Sequence, residues 1–198
     1  MIELFAMAAA LRLPPVEECK GDPAFDAVRA EFAAAVKARD ARRLASLASA
    51  DVAMDEEGFY EGPARLIEMM SDERGQDFWR EIEPVPEGGC SAVESGRVLP
   101  SFPPRLTEGE EPMIVAGARE PIRAGPSGDA KILGYAGWEW VDHNFADSGP
   151  FYWRVRLRSG RVGYIRSERI YSPFSPFAEF QRRDGKWQLV MLRLIAAD

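Results

Sequence analysis

The sequence predicts an α+β protein: an N-terminal helical lobe packed on a C-terminal β-hairpin, with a small antiparallel β-barrel between them in the chain. Three observations carry this expectation. Apolar residues recur at three- and four-residue intervals between residues 22 and 83. Short period-two segments cut by Gly and Pro fill residues 112–172. Near the end, Asp184-Gly185, a strong two-residue turn, separates two β-prone runs.

Asp22-Pro23 supplies a helix cap followed by proline at the first helical position, and Phe25, Val28, Phe32 and Val36 then trace one apolar face. Asp40 caps a shorter helix through Leu44 and Leu47 that stops near Asp51, and Gly62-Pro63 starts a third through Leu66, Ile67 and Met70. Asp77 is the expected cap of a fourth, with Phe78, Trp79 and Ile82, which Pro84 and Pro86 end. Residues 84–111, rich in Pro, Gly and Glu, read as a connection whose apolar island Val98-Leu99 makes an edge strand. Six strands are expected in 112–172: Ile114–Ala116, Glu120–Ala124, Lys131–Tyr135, Trp138–Val141, Trp153–Leu157 and Val162–Ile165. Residues 173–198 then form the hairpin, Phe177–Gln181 and Lys186–Leu194. Its second strand reads as apolar on both faces, Trp187, Leu189 and Met191 against Val190, Leu192 and Leu194, and so as covered twice.

Composition narrows the function classes. A net charge of −7 argues against nucleic acid as a partner for the molecule as a whole, and no apolar run reaches the length of a membrane helix. Residues 1–21 open on an apolar, Ala-rich stretch with Glu3 where an export signal carries a cation, which leaves a degenerate signal, an amphipathic first helix and a disordered segment as alternatives. Cys19 and Cys90 permit one intramolecular pairing. An exported chain would use it, whereas a cytoplasmic one would bury both as small hydrophobes.

No enzyme is expected. His143 is the only histidine and falls in a polar loop, where its neighbour Asp142 and Ser148 cannot easily take nucleophile-base-orienter geometry. Neither Asp142 with Asp147 nor Asp55-Glu56-Glu57 has the spacing of a calcium loop. No cofactor motif occurs, and two cysteines with one histidine make no zinc set. Alternation on the Trp153–Leu157 strand instead leaves Tyr152, Arg154, Arg156 and Arg158 on the face away from Trp153, Val155 and Leu157. With Arg161, Arg166 and Arg169 this makes a basic, tyrosine-bearing surface suited to carboxylates or phosphates, although a solvated outer face is the simpler explanation. Trp138 and Trp140 are expected on a common face, Trp140 in the core, and Tyr164 is the ring expected to be most exposed. Trp138, Tyr152, Arg154, Arg156 and Tyr164 are therefore the candidate ligand-binding residues.

Through Arg123, Pro126-Ser127, Trp153/Val155/Leu157, Gly160 and Gly163-Tyr164-Ile165, the segment 112–172 resembles the bacterial Src-homology-3 domain. The resemblance implies a binding or spacer module of the periplasm or cell envelope, taking a peptide, a peptidoglycan fragment or a protein partner, a homodimer contact being a further use. It departs from that pattern in Ile122, where many members have Asn, and in a longer loop, Asp142 to Pro150. The flanks, Phe32 to Val52 together with Phe180 and Asp184-Gly185-Lys186-Trp187, are similar to the two ends of nuclear-transport-factor-2-like (cystatin-like) domains. That similarity implies an alternative, small-molecule binding or catalysis in a reduced pocket around Phe32, Trp79, Trp187 and Met191.

Overall fold

Asp22 begins the folded order in the way its position suggests. In the computed structural model, which describes residues 15–54, 61–101, 113–143, 149–157, 159–172 and 176–194, its carboxylate accepts the amides of Ala24 and Phe25 at 3.1 Å each and starts α1 (Pro23–Ala38). Asp40 likewise accepts the Arg43 amide at 2.9 Å and starts α2 (Ala41–Ser46). Then follow β1 (Ala48–Ala53), α3 (Pro63–Ser71) and α4 (Gly75–Ile82). The N-cap of α4 is Arg74, which makes no side-chain cap bond, and not the expected Asp77. The Asp72 carboxylate takes the Gly75 amide at 2.8 Å, and Asp77 lies inside the first turn.

The fold class is α+β, and the chain forms two compact units. The outer unit comprises Pro15–Arg105 and Tyr171–Asp198, and the inserted unit contains Leu106–Ile170. In the outer unit a five-stranded sheet has the order β1-β12-β11-β3-β2, with β2 (Ser91–Ala92), β3 (Arg97–Leu99), β11 (Phe177–Arg183) and β12 (Lys186–Arg193). Residues 84–101 are therefore not a bare connection: they add a short 3-10 turn and two strands. The island Val98-Leu99 is internal, and β2 takes the edge. β1, expected as the tail of α2, becomes a strand by parallel pairing with β12. Because β3 and β11 are antiparallel neighbours, Leu99 opposite Ala178, the inserted unit occupies the place of a hairpin connection.

The core of the outer unit sets α1 against this sheet. Phe180 meets Phe25 and Phe32 edge-on at 5.7 and 5.4 Å between centroids, and Trp187 meets Phe25 at 5.1 Å. One element of the hairpin departs from simple alternation. Met191 pairs with Glu179 but Leu189 with Phe180, so Val190 is an extra, bulged residue. The bulge brings Leu192 and Leu194 into the core with Leu189, while Met191 is left outside it. Val190 is nevertheless buried, although it is not part of that core cluster. The turn itself, Asp184-Gly185, takes φ of 51° and 78°, the left-handed pair that a two-residue hairpin requires.

Asp22 does more than cap α1. Its second oxygen accepts the Trp187 indole N–H at 3.1 Å, which ties the helix start to β12. The Phe25 amide chiefly, then the Trp187 indole, the Ala24 amide and the charge of Arg182, hold this carboxyl below its ordinary value, against the upward push of burial. A depressed folded-state value means that the stabilisation is present above the unfolded-state value and is lost as pH falls through the folded one. The expected result is that the thermal midpoint of the Asp22→Asn variant lies below the parent's at pH 7 and that the gap closes below about pH 4. Melting curves by circular dichroism at both pH values check it, and a gap independent of pH refutes the linkage.

The inserted unit is a seven-stranded sheet of order β10-β4-β7-β8-β9-β5-β6, in which each recorded pairing among β4 to β9 is antiparallel. The strands are β4 (Met113–Val115), β5 (Glu120–Arg123), β6 (Ile132–Ala136), β7 (Glu139–His143), β8 (Tyr152–Leu157), β9 (Val162–Arg166) and β10 (Ile170–Tyr171). The last of these is additional to the six expected. Val115, Ile122, Val141, Val155, Leu157 and Ile165 fill its core. β7 runs further than expected, so the backbone of His143 belongs to a strand, opposite Val155, and not to a loop.

Candidate functional site

The surface singled out on β8 is built by alternation and register. Val155 and Leu157 are buried in the core of the inserted unit and Trp153 packs against it, so Tyr152, Arg154 and Arg156 project from the opposite face. β9 pairs with β8 so that Arg154 is opposite Tyr164, Tyr152 opposite Arg166 and Arg156 opposite Val162. Residues directly opposite each other in an antiparallel pair share a face. Tyr152, Arg154, Arg156 and Tyr164 are therefore brought together. Trp138 is not among them: it stands in a turn before β7 with φ of 46°, its amide donating to the carbonyls of Val115 at 3.0 Å and Gly117 at 3.1 Å. The left-handed turn breaks the alternation expected to join it to Trp140, which is buried at 5 % exposure.

Two tyrosines are less open than the sequence implies. Tyr164 is half-buried, and so is Tyr152, whose hydroxyl lies 3.4 Å from where a Cβ on Gly128 would stand, against the loop between β5 and β6. Pairing also recruits residues that local reading missed. Arg123 of β5 sits opposite Tyr164, and Asp142 of β7 sits opposite Arg156. No short-range pattern announces them, since both juxtapositions depend on which strands become neighbours.

The cations of this region differ in their engagement. Arg166 pairs with Glu168 at 2.8 Å and reaches Glu120 at 4.0 Å; Arg169 lies 3.4 Å from Glu120; Arg123 donates to the Ala130 carbonyl at 2.9 Å. Arg154, which also has an interaction partner, and Arg156 are exposed on β8. Residues 113–172 contain nine Arg and Lys against six Asp and Glu, so the segment is cationic within an acidic chain. Such a face attracts anions, and exposed arginines grip carboxylates or phosphates in bidentate fashion. Arg158, Asp147, Ser148 and Asp55-Glu56-Glu57 lie outside the residues whose surroundings are described.

In the outer unit, Cys19 and Cys90 form a disulfide with Cα atoms 5.7 Å apart. Backbone bonds flank it: Glu18 N–H to Cys90 O and Cys90 N–H to Val16 O, both 2.8 Å. Glu17 lies within 4.8 Å of both sulfurs, and among the described residues this is a grouping with metal-capable atoms. Its atoms are committed elsewhere: the sulfurs to each other, the carboxylate to Arg29 at 2.6 Å and to the Cys19 amide at 3.3 Å. A bound cation would have to displace these contacts.

Of the four residues of the expected reduced pocket, Phe32 and Trp79 belong to one buried cluster against which Trp187 packs. Phe32 and Trp79 are core side chains at 0 and 2 % exposure, and the Trp79 indole donates to the Met70 carbonyl at 2.9 Å. Trp187 is committed to Asp22 and Phe25, while the bulge leaves Met191 outside that core. Asp51, on β1, is exposed and paired with Arg183. A scan against protein-family models finds no match to the chain, and a search of curated proteins finds none either.

Proposed function

We propose that the chain is a non-enzymatic docking protein of the cell envelope, in which the inserted unit acts as a bacterial Src-homology-3-like domain. It binds a wall fragment, a peptide or a protein partner through Tyr152, Arg154, Arg156 and Tyr164. The observation that supports this most is their convergence on one sheet face: exposed Arg154 and Arg156 follow half-buried Tyr152 along β8, and half-buried Tyr164 stands opposite Arg154 on β9. Rings of this kind offer flat apolar contact while the guanidinium groups supply charge and directional donors. The buried bridge between Cys19 and Cys90 supports an oxidising compartment, where structural disulfides persist.

Sedimentation with insoluble peptidoglycan tests the reading. The parent protein is expected in the pellet, and the Tyr164→Ala, Arg156→Ala double variant is expected to be retained about tenfold less, the loss corresponding to one or two good polar contacts. Equal retention of the two proteins, or retention of neither, overturns the proposal.

A further inference from the structure

A second surface of the inserted unit is carried by β6, whose Ile132 is opposite Arg123 and so in register with Tyr164. β6 is the terminal strand of its sheet among the described residues, so one side of it carries no recorded partner strand. Ile132, Leu133 and Tyr135 on this strand are 43, 44 and 44 % exposed, and no other large apolar residue within a described strand is as open. The register explains the pair Ile132 and Leu133. Gly134 is opposite Ile122 and Ile132 opposite Arg123, which makes Leu133 an extra residue and lets two successive side chains reach solvent.

Cations surround the strand. The Arg119 guanidinium stacks 4.2 Å from the Tyr135 ring centroid. The Arg161 guanidinium occupies the space that a side chain on Gly134 would need. Exposed Lys131 directly precedes Ile132. The nearby acids are Glu120, which is turned toward Arg166 and Arg169, and Asp129 in the preceding loop.

We infer that β6 is a docking edge for an extended acidic peptide whose backbone adds to the sheet as a further strand. Its apolar side chains meet Ile132, Leu133 and Tyr135, and its carboxylates meet Arg119, Lys131 and Arg161. An open edge presents unpaired N–H and C=O groups, which a peptide satisfies in register. A second copy of the chain is a poor occupant: two-fold pairing of β6 with itself would set the same cations against each other, and like charges across an interface disfavour association. A bilayer surface offers anions but no strand-spaced donors and acceptors.

The test measures binding of the full-length protein to four soluble probes: an eight-residue peptide of alternating Val and Glu, its Val-Lys counterpart, and two Val-Glu peptides N-methylated at every Val or at every Glu. The Val-Glu peptide is expected to bind at least about tenfold more tightly than the Val-Lys one. One N-methylated form is expected to lose about tenfold and the other much less, because alternate amides of a strand point to the same side. The Arg119→Glu, Lys131→Glu variant, with thermal melting confirming its fold, is expected to lose the preference for Glu. If that variant does not fold, the N-methylated probes on the unaltered protein still decide. Tyr164→Ala, Arg156→Ala is expected to bind the peptide normally, which separates failure here from failure of the wall-docking reading. Equal binding of Glu and Lys peptides, indifference to both methylation patterns, self-association without peptide binding, or preference for phosphatidylglycerol vesicles over the peptide overturns the inference.

Discussion

Replacing Cys19 and Cys90 together by alanine is expected to lower the stability of the outer unit by about 4 kcal/mol, on a chain-entropy argument for a closed loop of this length. The bridge spans a sequence separation of 71 residues, so it denies the unfolded chain many conformations. Folded contacts near it survive the substitution on paper: Val16 N–H still reaches Ser101 O at 2.9 Å, and the Glu18 and Cys90 backbone bonds need no sulfur. The loss therefore acts mainly on the unfolded state, which is the more expanded without its cross-link. Domains of ordinary size are stable by roughly 5–15 kcal/mol, so this one change consumes a large share. Urea unfolding followed through the tryptophans of the outer unit, Trp79 and Trp187, measures it. The parent protein treated with a thiol reductant should fall to the same midpoint as the alanine variant. A midpoint unmoved by reduction shows that the cross-link adds nothing to the folded balance.

What the sequence announces and what it conceals follow a physical division. Local signals were legible: Asp22-Pro23, Asp40 and Gly62-Pro63 begin helices because capping and proline at the first turn involve only neighbours. Asp184-Gly185 makes its turn because its two residues tolerate positive φ. Signals that depend on distant partners were not legible. Ala48–Ala53, poor in β-branched residues, becomes a strand only because β12 lies beside it. The Val190 bulge changes which side chains of β12 face α1, and periodicity has no means of anticipating a skipped residue. The candidate surface divides in the same way. Alternation on β8 places Tyr152, Arg154 and Arg156 together, but Arg123 and Asp142 enter through the pairings of β5 with β9 and of β7 with β8. Glu120, far along the chain from Arg166 and Arg169, decides how they are balanced, and only the folded arrangement reveals this.

Gly163→Ala is expected to destabilise the inserted unit by about 1–3 kcal/mol, within the range for forcing atoms into a filled core. A Cβ at Gly163 would run into Ile122 Cγ2 and stand 2.8 Å from the Arg123 carbonyl oxygen. Ile122 is fully buried, and Arg123 is held by pairing to both Tyr164 and Ile132, so neither has an easy retreat. Gly160 provides the contrast. It has φ of 81° but nothing within 4 Å of its would-be Cβ, so Gly160→Ala incurs backbone strain alone, about 1 kcal/mol. The two variants thus separate close approach from conformational freedom within one hairpin. Thermal unfolding read through Trp153 should rank Gly163→Ala below Gly160→Ala, and the reverse order contradicts the packing of β9 on β5. The same shift has a consequence for binding: moving β9 away from β5 displaces Tyr164 relative to Arg123 and Arg154. Retention on peptidoglycan should therefore weaken in Gly163→Ala even at temperatures where it remains folded, while Gly160→Ala retains it.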